Sequence, residues 1–169
     1  MKSNIILLLM LSAYVLLPIL AYRMQHRRMA QFCFYMTVSE NVRKFYCYML
    51  LLSVIIFHAV YYNTNNAEWG LMVSTIPMLM MFSVRWLTWF LQRLRDYRRE
   101  LLAFTVYALI ALFTPHLFTL GITFFVIIVG VAFYPSRIIQ GIDKYLLSAQ
   151  YSRAMITRNY SKIINCYFE

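Results

Sequence analysis

Acidic residues are scarce in this chain of 169 residues, with six Asp and Glu against sixteen Lys and Arg, and only 13% of positions are charged. Glycine is scarcer, at four residues, and there are three cysteines. Each shortage excludes something. Neither a P-loop nor a glycine-rich dinucleotide fingerprint is present, and G-x-S-x-G and H-E-x-x-H are missing too. With no nucleophile–base pair to name, no enzyme and no cofactor are expected. No Asp or Glu falls inside an expected membrane span, where proton-coupled pumps and transporters usually place carboxylates. Cys33, Cys47 and Cys166 are odd in number, and their spacing suits neither a metal site nor a disulfide framework. They read as small apolar residues in a reducing compartment. His58 and His116 fall short of the four ligands that a structural metal wants, so they read as interfacial histidines with satisfied hydrogen bonds.

What the chain has in abundance is apolar residues, 62% against the roughly 45–50% of a soluble domain. They come in long runs. The first, 5–22, is about the ~20 residues a helix needs to cross a bilayer core. Pro18 is tolerable within it, and no A-x-A-like cleavage site follows, so it is expected to be a retained span. A second span is expected over 45–62, ending in Tyr61 and Tyr62 as an aromatic belt and followed by the turn cluster 63–66. A third is expected over 67–91. Arg85 lies inside it, flanked by Trp86 and Trp89, and the favoured reading lets its side chain snorkel to the headgroups.

Residues 101–134 form an apolar stretch of 34 residues, about 50 Å as one helix and too long for a single crossing. Thr114-Pro115-His116 sits at its centre, and a Thr cap with Pro in the first turn marks a helix start. Two crossings are expected, 99–114 and 115–134. The fold class is therefore all-α and polytopic, with a membrane domain over 1–134 and a basic tail over 135–169. Ile138, Ile142, Tyr145, Leu146 and Ala149 recur in the tail at helical spacing and predict one amphipathic helix. Residues 92–100 read as a short charged loop. Residues 23–44 read either as a segment lying flat in the interface, with arginines reaching to headgroups, or as a loop lying against the other helices.

The formal charge of +10 would suggest nucleic acid in a soluble protein. Here the cations cluster beside apolar runs and no recognition motif accompanies them, so membrane lipids are the expected partner and nucleic acid is not. Counted along the chain, the loops carry five, none, four, none and five Lys or Arg. That alternation predicts five crossings with the N-terminus outside and the C-terminus in the cytoplasm. Arg23, Arg27, Arg28, Arg85, Arg93, Arg95, Arg98, Arg99, Arg137 and Lys144 are the candidate contacts to lipid or to a partner protein.

In size, hydrophobicity and layout the whole chain resembles the small polytopic inner-membrane entry-exclusion proteins of F-type conjugative plasmids (TraS-like). The resemblance implies a plasma-membrane protein of a recipient cell that blocks redundant DNA transfer by recognising a component of the incoming machinery. It assigns no residue roles. Immunity proteins against pore-forming bacteriocins and phage superinfection-exclusion proteins share the general plan. A small transporter or channel component is the alternative from another class. It would need a polar path through residues such as Ser53, Ser74, Thr75, Ser83, Thr105, Thr119 and Thr123.

Overall fold

The structure, a computed structural model, describes residues 27–64, 83–114, 117–141 and 144–168, with isolated positions before 27 and between 65 and 82. The expected first span, Arg23, most of residues 65–82, Pro115 and His116 lie outside the described residues. Among those described the chain is all-α. The helices are α1 (Arg27–Val38), α2 (Glu40–Thr64), α3 (Val84–Asp96), α4 (Arg98–Phe113), α5 (Phe118–Ala132), α6 (Arg137–Gly141), α7 (Lys144–Ile156) and α8 (Tyr160–Phe168).

Helices α2 to α5 form an antiparallel bundle. Its tightest part is the α4–α5 hairpin. Thr114 closes α4, with its N–H on the carbonyls of Ile110 and Ala111 and its hydroxyl on Ile110 O at 2.9 Å. Thr114 was expected to cap the helix that follows. It instead ends the helix before it, and the turn is completed by Leu117 N–H on Thr114 O at 3.0 Å. Gly121 makes the close approach possible. A Cβ at this position would lie 2.7 Å from the backbone nitrogen of Leu112. Phe104 and Phe124 meet farther down, with ring centroids 4.7 Å apart.

The second contact is between α5 and α2. Gly130 lies where a Cβ would sit 2.7 Å from a Leu50 methyl, and the Tyr46 hydroxyl donates to Gly130 O at 2.9 Å. At the opposite end Tyr61 meets Phe118 at 5.9 Å. These pairs set the two helices antiparallel. Helix α3 buries Leu87, Leu91 and Leu94, one stripe at i, i+4 and i+7, and packs on α2, α4 and α5.

Two sequence expectations change here. Residues 92–100 are not a loop. Gln92 to Asp96 finish α3, Tyr97 alone is extended (φ −112, ψ 92), and α4 starts at Arg98. The charged residues sit on helix ends beside the buried Leu94, so a charge-rich string concealed two helices meeting at one residue. The expected helix over 67–91 is interrupted at Ser83, whose backbone is extended (φ −78, ψ 102). Arg85 therefore stands in the first turn of α3, not deep within a long helix.

The remaining helices make a second layer against one end of the bundle. Helix α1 buries Ala30, Cys33, Met36 and Thr37 and packs against α2, α6, α7 and α8. Segment 23–44 was expected to lie flat in the interface or to form a loop against the other helices; its described part is a helix, and it is packed. The tail is three helices where one amphipathic helix was expected. Helix α7 ends in a Schellman motif, with Asn159 N–H on Ala154 O at 2.9 Å and Arg158 N–H on Met155 O at 3.4 Å. Arg158 takes the left-handed position (φ 54) that glycine usually fills. With neither Gly nor Pro at this point, the sequence carries no mark of the break.

Candidate functional site

Because the bundle is antiparallel, the N-terminal ends of α2 and α4 meet the C-terminal ends of α3 and α5. This end gathers Arg43, Lys44, Arg93, Arg95, Arg98, Arg99 and Arg137, and the second layer sits against it. The helix ends here leave backbone carbonyls and N–H groups without intrahelical partners. Long side chains satisfy several of them. Arg43 Nη1 donates to Met36 O at 3.0 Å and Thr37 O at 2.9 Å, capping α1 from the next helix. Asp96 accepts the Arg137 backbone N–H at 3.1 Å and pairs with its guanidinium at 3.2 Å, which ties the start of α6 to the end of α3.

A buried linkage holds the C-terminal helix. The Tyr167 hydroxyl donates to Phe133 O at 2.6 Å, just past the end of α5. Arg95 Nη2 donates to Tyr167 O at 3.1 Å. Three helices thus meet at one side chain and its own carbonyl. Burial pushes the Tyr167 hydroxyl well above its ordinary pKa, so it remains a donor. Desolvation draws Arg95 downward from its usual value. Next to them Cys33 is buried, and desolvation pushes its thiol up to about 12.

The remaining cations are arranged for the surface. Arg93 grips Glu100 with two bonds, 2.7 and 2.9 Å, and its guanidinium lies 5.4 Å from the Trp89 ring centre. The Glu100 hydrogen bonds hold it still more firmly protonated. Lys44 pairs with Glu40 at 2.8 Å across one helical turn. Arg27, Arg28, Arg98 and Arg99 are exposed, and Lys144 opens α7.

Of the ten candidate contacts, Arg23 lies outside the described residues and Lys144 opens α7; the other eight divide. Arg95 is spent on the fold, and Arg93 and Arg137 are paired with the chain's own carboxylates. Arg98 and Arg99 stay on the surface of the basic end, and Arg27 and Arg28 are exposed at the start of α1. Arg85 stands apart, far up α3. Sequence reasoning missed Tyr167, Asp96 and Arg43 as organisers of this end, and no local motif marks them.

The flank of the bundle is different. Helix α4 exposes Leu102 (67%), Tyr107 (66%), Ile110 and, at its tip, Phe113 (86%), and α2 exposes Phe45 (64%), Tyr48 and Leu52. Thr119 and Thr123 are the buried polar side chains of the bundle among the described residues. The Thr123 hydroxyl turns back on its own helix and donates to Thr119 O at 2.9 Å. His58 shares a narrow crevice between α2 and α5 with Tyr61, Thr119 and Thr123. Among the described residues no three His, Cys, Asp or Glu side chains come together to hold a metal ion. Nor does any buried side-chain nitrogen or oxygen there lack a partner. Comparison with known protein families, with curated proteins and with solved structures finds no match to this chain.

Proposed function

We propose that the chain is a multi-spanning plasma-membrane protein whose α2–α5 bundle lies in the bilayer, and that it acts by binding another membrane protein. The observation that carries this reading is the division of the bundle surface. The flank is apolar and exposed, and the cations gather at one end. Helix α2 is long and apolar enough to cross a membrane over Glu40–Tyr61, and only 33% of its apolar window is buried. A core helix of a soluble protein would hide that window, whereas a lipid-facing helix leaves it bare. The basic end then meets the cytoplasmic headgroups, in keeping with the positive-inside bias. The α4–α5 hairpin supports two of the five crossings expected from the charge alternation. Its helices measure about 24 and 22 Å, so this part of the protein sits in a thinned bilayer or stops short of the far side.

Within that class, entry exclusion in conjugation is the reading that the resemblance in size and layout favours. The exposed surfaces suit contact better than conduction, because the described bundle buries Thr119 and Thr123 as its polar side chains and the Thr123 hydroxyl is turned onto the backbone of its own helix. A mating assay tests this. Recipient cells expressing the chain are expected to take up a related conjugative plasmid at reduced frequency while an unrelated plasmid enters normally. Unchanged uptake of both removes the exclusion reading. Survival of the same cells under a pore-forming bacteriocin or a phage would move the function to immunity or superinfection exclusion.

A further inference from the structure

Ile138, Tyr145, Leu146 and Ala149 belong to the periodic stripe that predicted an amphipathic helix, yet none of them turns inward. Ile138 (82%), Tyr145 (82%), Leu146 (62%) and, farther along α7, Ile156 (83%) are exposed. The other side of α7 is the one that packs. Tyr151 stacks on Phe34 of α1 at 4.2 Å, Ala154 is buried, and Leu147 and Met155 are half-buried. Helix α7 is thus apolar on two sides and covered on one. A helix that is apolar all round belongs in a core or a membrane, and an open apolar face marks a contact.

Helix α6 sets the level of this face. Arg137 at its start pairs with Asp96, and Gln92 Nε2 donates to Gln140 Oε1 at 3.4 Å. Gln92 lies one turn back from Asp96, about 6 Å along α3. Helix α6 therefore flanks the last turn of α3 and does not hang below the bundle. Exposed Trp89 is the next turn up, and an indole marks the membrane boundary in the reading above. Ile138 is two residues from Gln140, so helical geometry turns it away from α3.

Charge decides what covers the face. Residues 27–38 and 137–168, which build the layer, carry seven Lys and Arg and one acid, Asp143. Two copies of such a layer repel each other, whereas the anionic headgroups of a cytoplasmic leaflet attract it. Arg153 is exposed on the open side of α7, between Leu146 and Ile156.

We infer that α6 and the open side of α7 lie in the cytoplasmic headgroup layer, with Ile138, Leu146 and Ile156 among the upper acyl carbons and Arg153 on the phosphate of an anionic lipid. The inference rests on the membrane reading above and adds the lipid class that this surface selects. The apolar side chains bind any bilayer. The guanidinium, with two parallel hydrogen bonds to a phosphate, favours lipids whose net charge is negative.

The test uses the full chain with its native cysteines replaced and an environment-sensitive dye on Ile156→Cys, in phosphatidylcholine vesicles. A small fraction of the lipid bears a spin label near the headgroup, on phosphatidylglycerol in one sample and on phosphatidylcholine in the other. Both are expected to quench the dye, phosphatidylglycerol about fivefold more effectively, the scale of one basic residue at an anionic surface. A dye on Leu146→Cys is expected to give the same result. Arg153→Gln is expected to remove the preference and to leave the quenching by phosphatidylcholine. No quenching by either lipid, equal quenching by both, or a preference that survives Arg153→Gln overturns the inference. Energy transfer between copies without lipid quenching seats a second copy on the face and overturns it too. Alkaline extraction of the same vesicles separates the two claims. A chain that washes out overturns the membrane reading as well, and a chain that stays with its dye unquenched overturns only this one.

Discussion

The bundle and the layer at its basic end are built by different means. In the bundle, cohesion comes from apolar stripes and from two glycines that let helices touch, Gly121 against the Leu112 backbone and Gly130 against Leu50. The layer also buries apolar side chains such as Met36 and Ile164, but it adds side chains that finish other helices' ends: Arg43 on α1, Asp96 on α6, Arg95 on α8 and Tyr167 beyond α5. The contrast fits two surroundings. In hydrocarbon each helix must satisfy its own backbone, so helix contacts come down to shape. Where helices end, near water and headgroups, free carbonyls and N–H groups are numerous and long polar side chains reach them.

Substitutions sharpen the comparison. The largest effect is expected in the bundle from Gly121→Val. The methyl groups would meet Leu112 backbone, which cannot rotate aside, and unfolding in mixed micelles should show a loss of about 3 kcal/mol. Gly130→Ala should lose less than about 1 kcal/mol, because the obstacle is the movable end of the Leu50 side chain. Equal losses at the two glycines would undo the shape argument.

In the layer, Tyr167→Phe leaves Phe133 O without its donor and should lose about 1–2 kcal/mol. Its effect reaches Cys33. With the thiol pushed up to about 12, roughly one molecule in ten thousand is thiolate at pH 8, and maleimide should not label Cys33 in the native chain. The shift raises the pKa, so protection holds below it and fails as pH climbs toward 12. Tyr167→Ala, which removes the ring as well, should bring labelling at pH 8 close to that of an ordinary thiol. Ready labelling of Cys33 in the unaltered chain would show that the layer does not close over it.

Arg43→Met keeps the stem and removes two bonds to the end of α1, with an expected loss of about 1 kcal/mol in the same assay. The smallest effect is a gain. Arg158→Gly relieves a left-handed residue and should stabilise the chain by about 0.5 kcal/mol. A loss would mean that the Arg158 side chain contributes more than its backbone costs.

The sequence was most legible where length and local chemistry agreed. An apolar stretch of 34 residues with Thr-Pro at its centre could only be a hairpin or an overlong helix, and it breaks at Thr114. Even there the capping role went to the wrong helix, because Thr serves a helix start by side-chain acceptance and a helix end by bonding back to the preceding turn. Charge misled the reading of 92–100, since arginines crowd helix ends as readily as they crowd loops. The tail break at Arg158 was illegible, because no Gly or Pro marks it. The linkage through Tyr167 joins residues 34 positions apart to one another and to Arg95 at 72, separations that no local pattern records.

The central claim is that the bundle crosses the bilayer with its basic end in the cytoplasm. Single cysteines at Asn63, at the far end of α2, and at Arg99, at the start of α4, test it in a chain whose native cysteines are replaced. With a membrane-impermeant maleimide on intact cells, the account expects labelling at position 63 and none at 99 until the cells are permeabilised. Labelling at 99 in intact cells, or at neither site before permeabilisation, would contradict it.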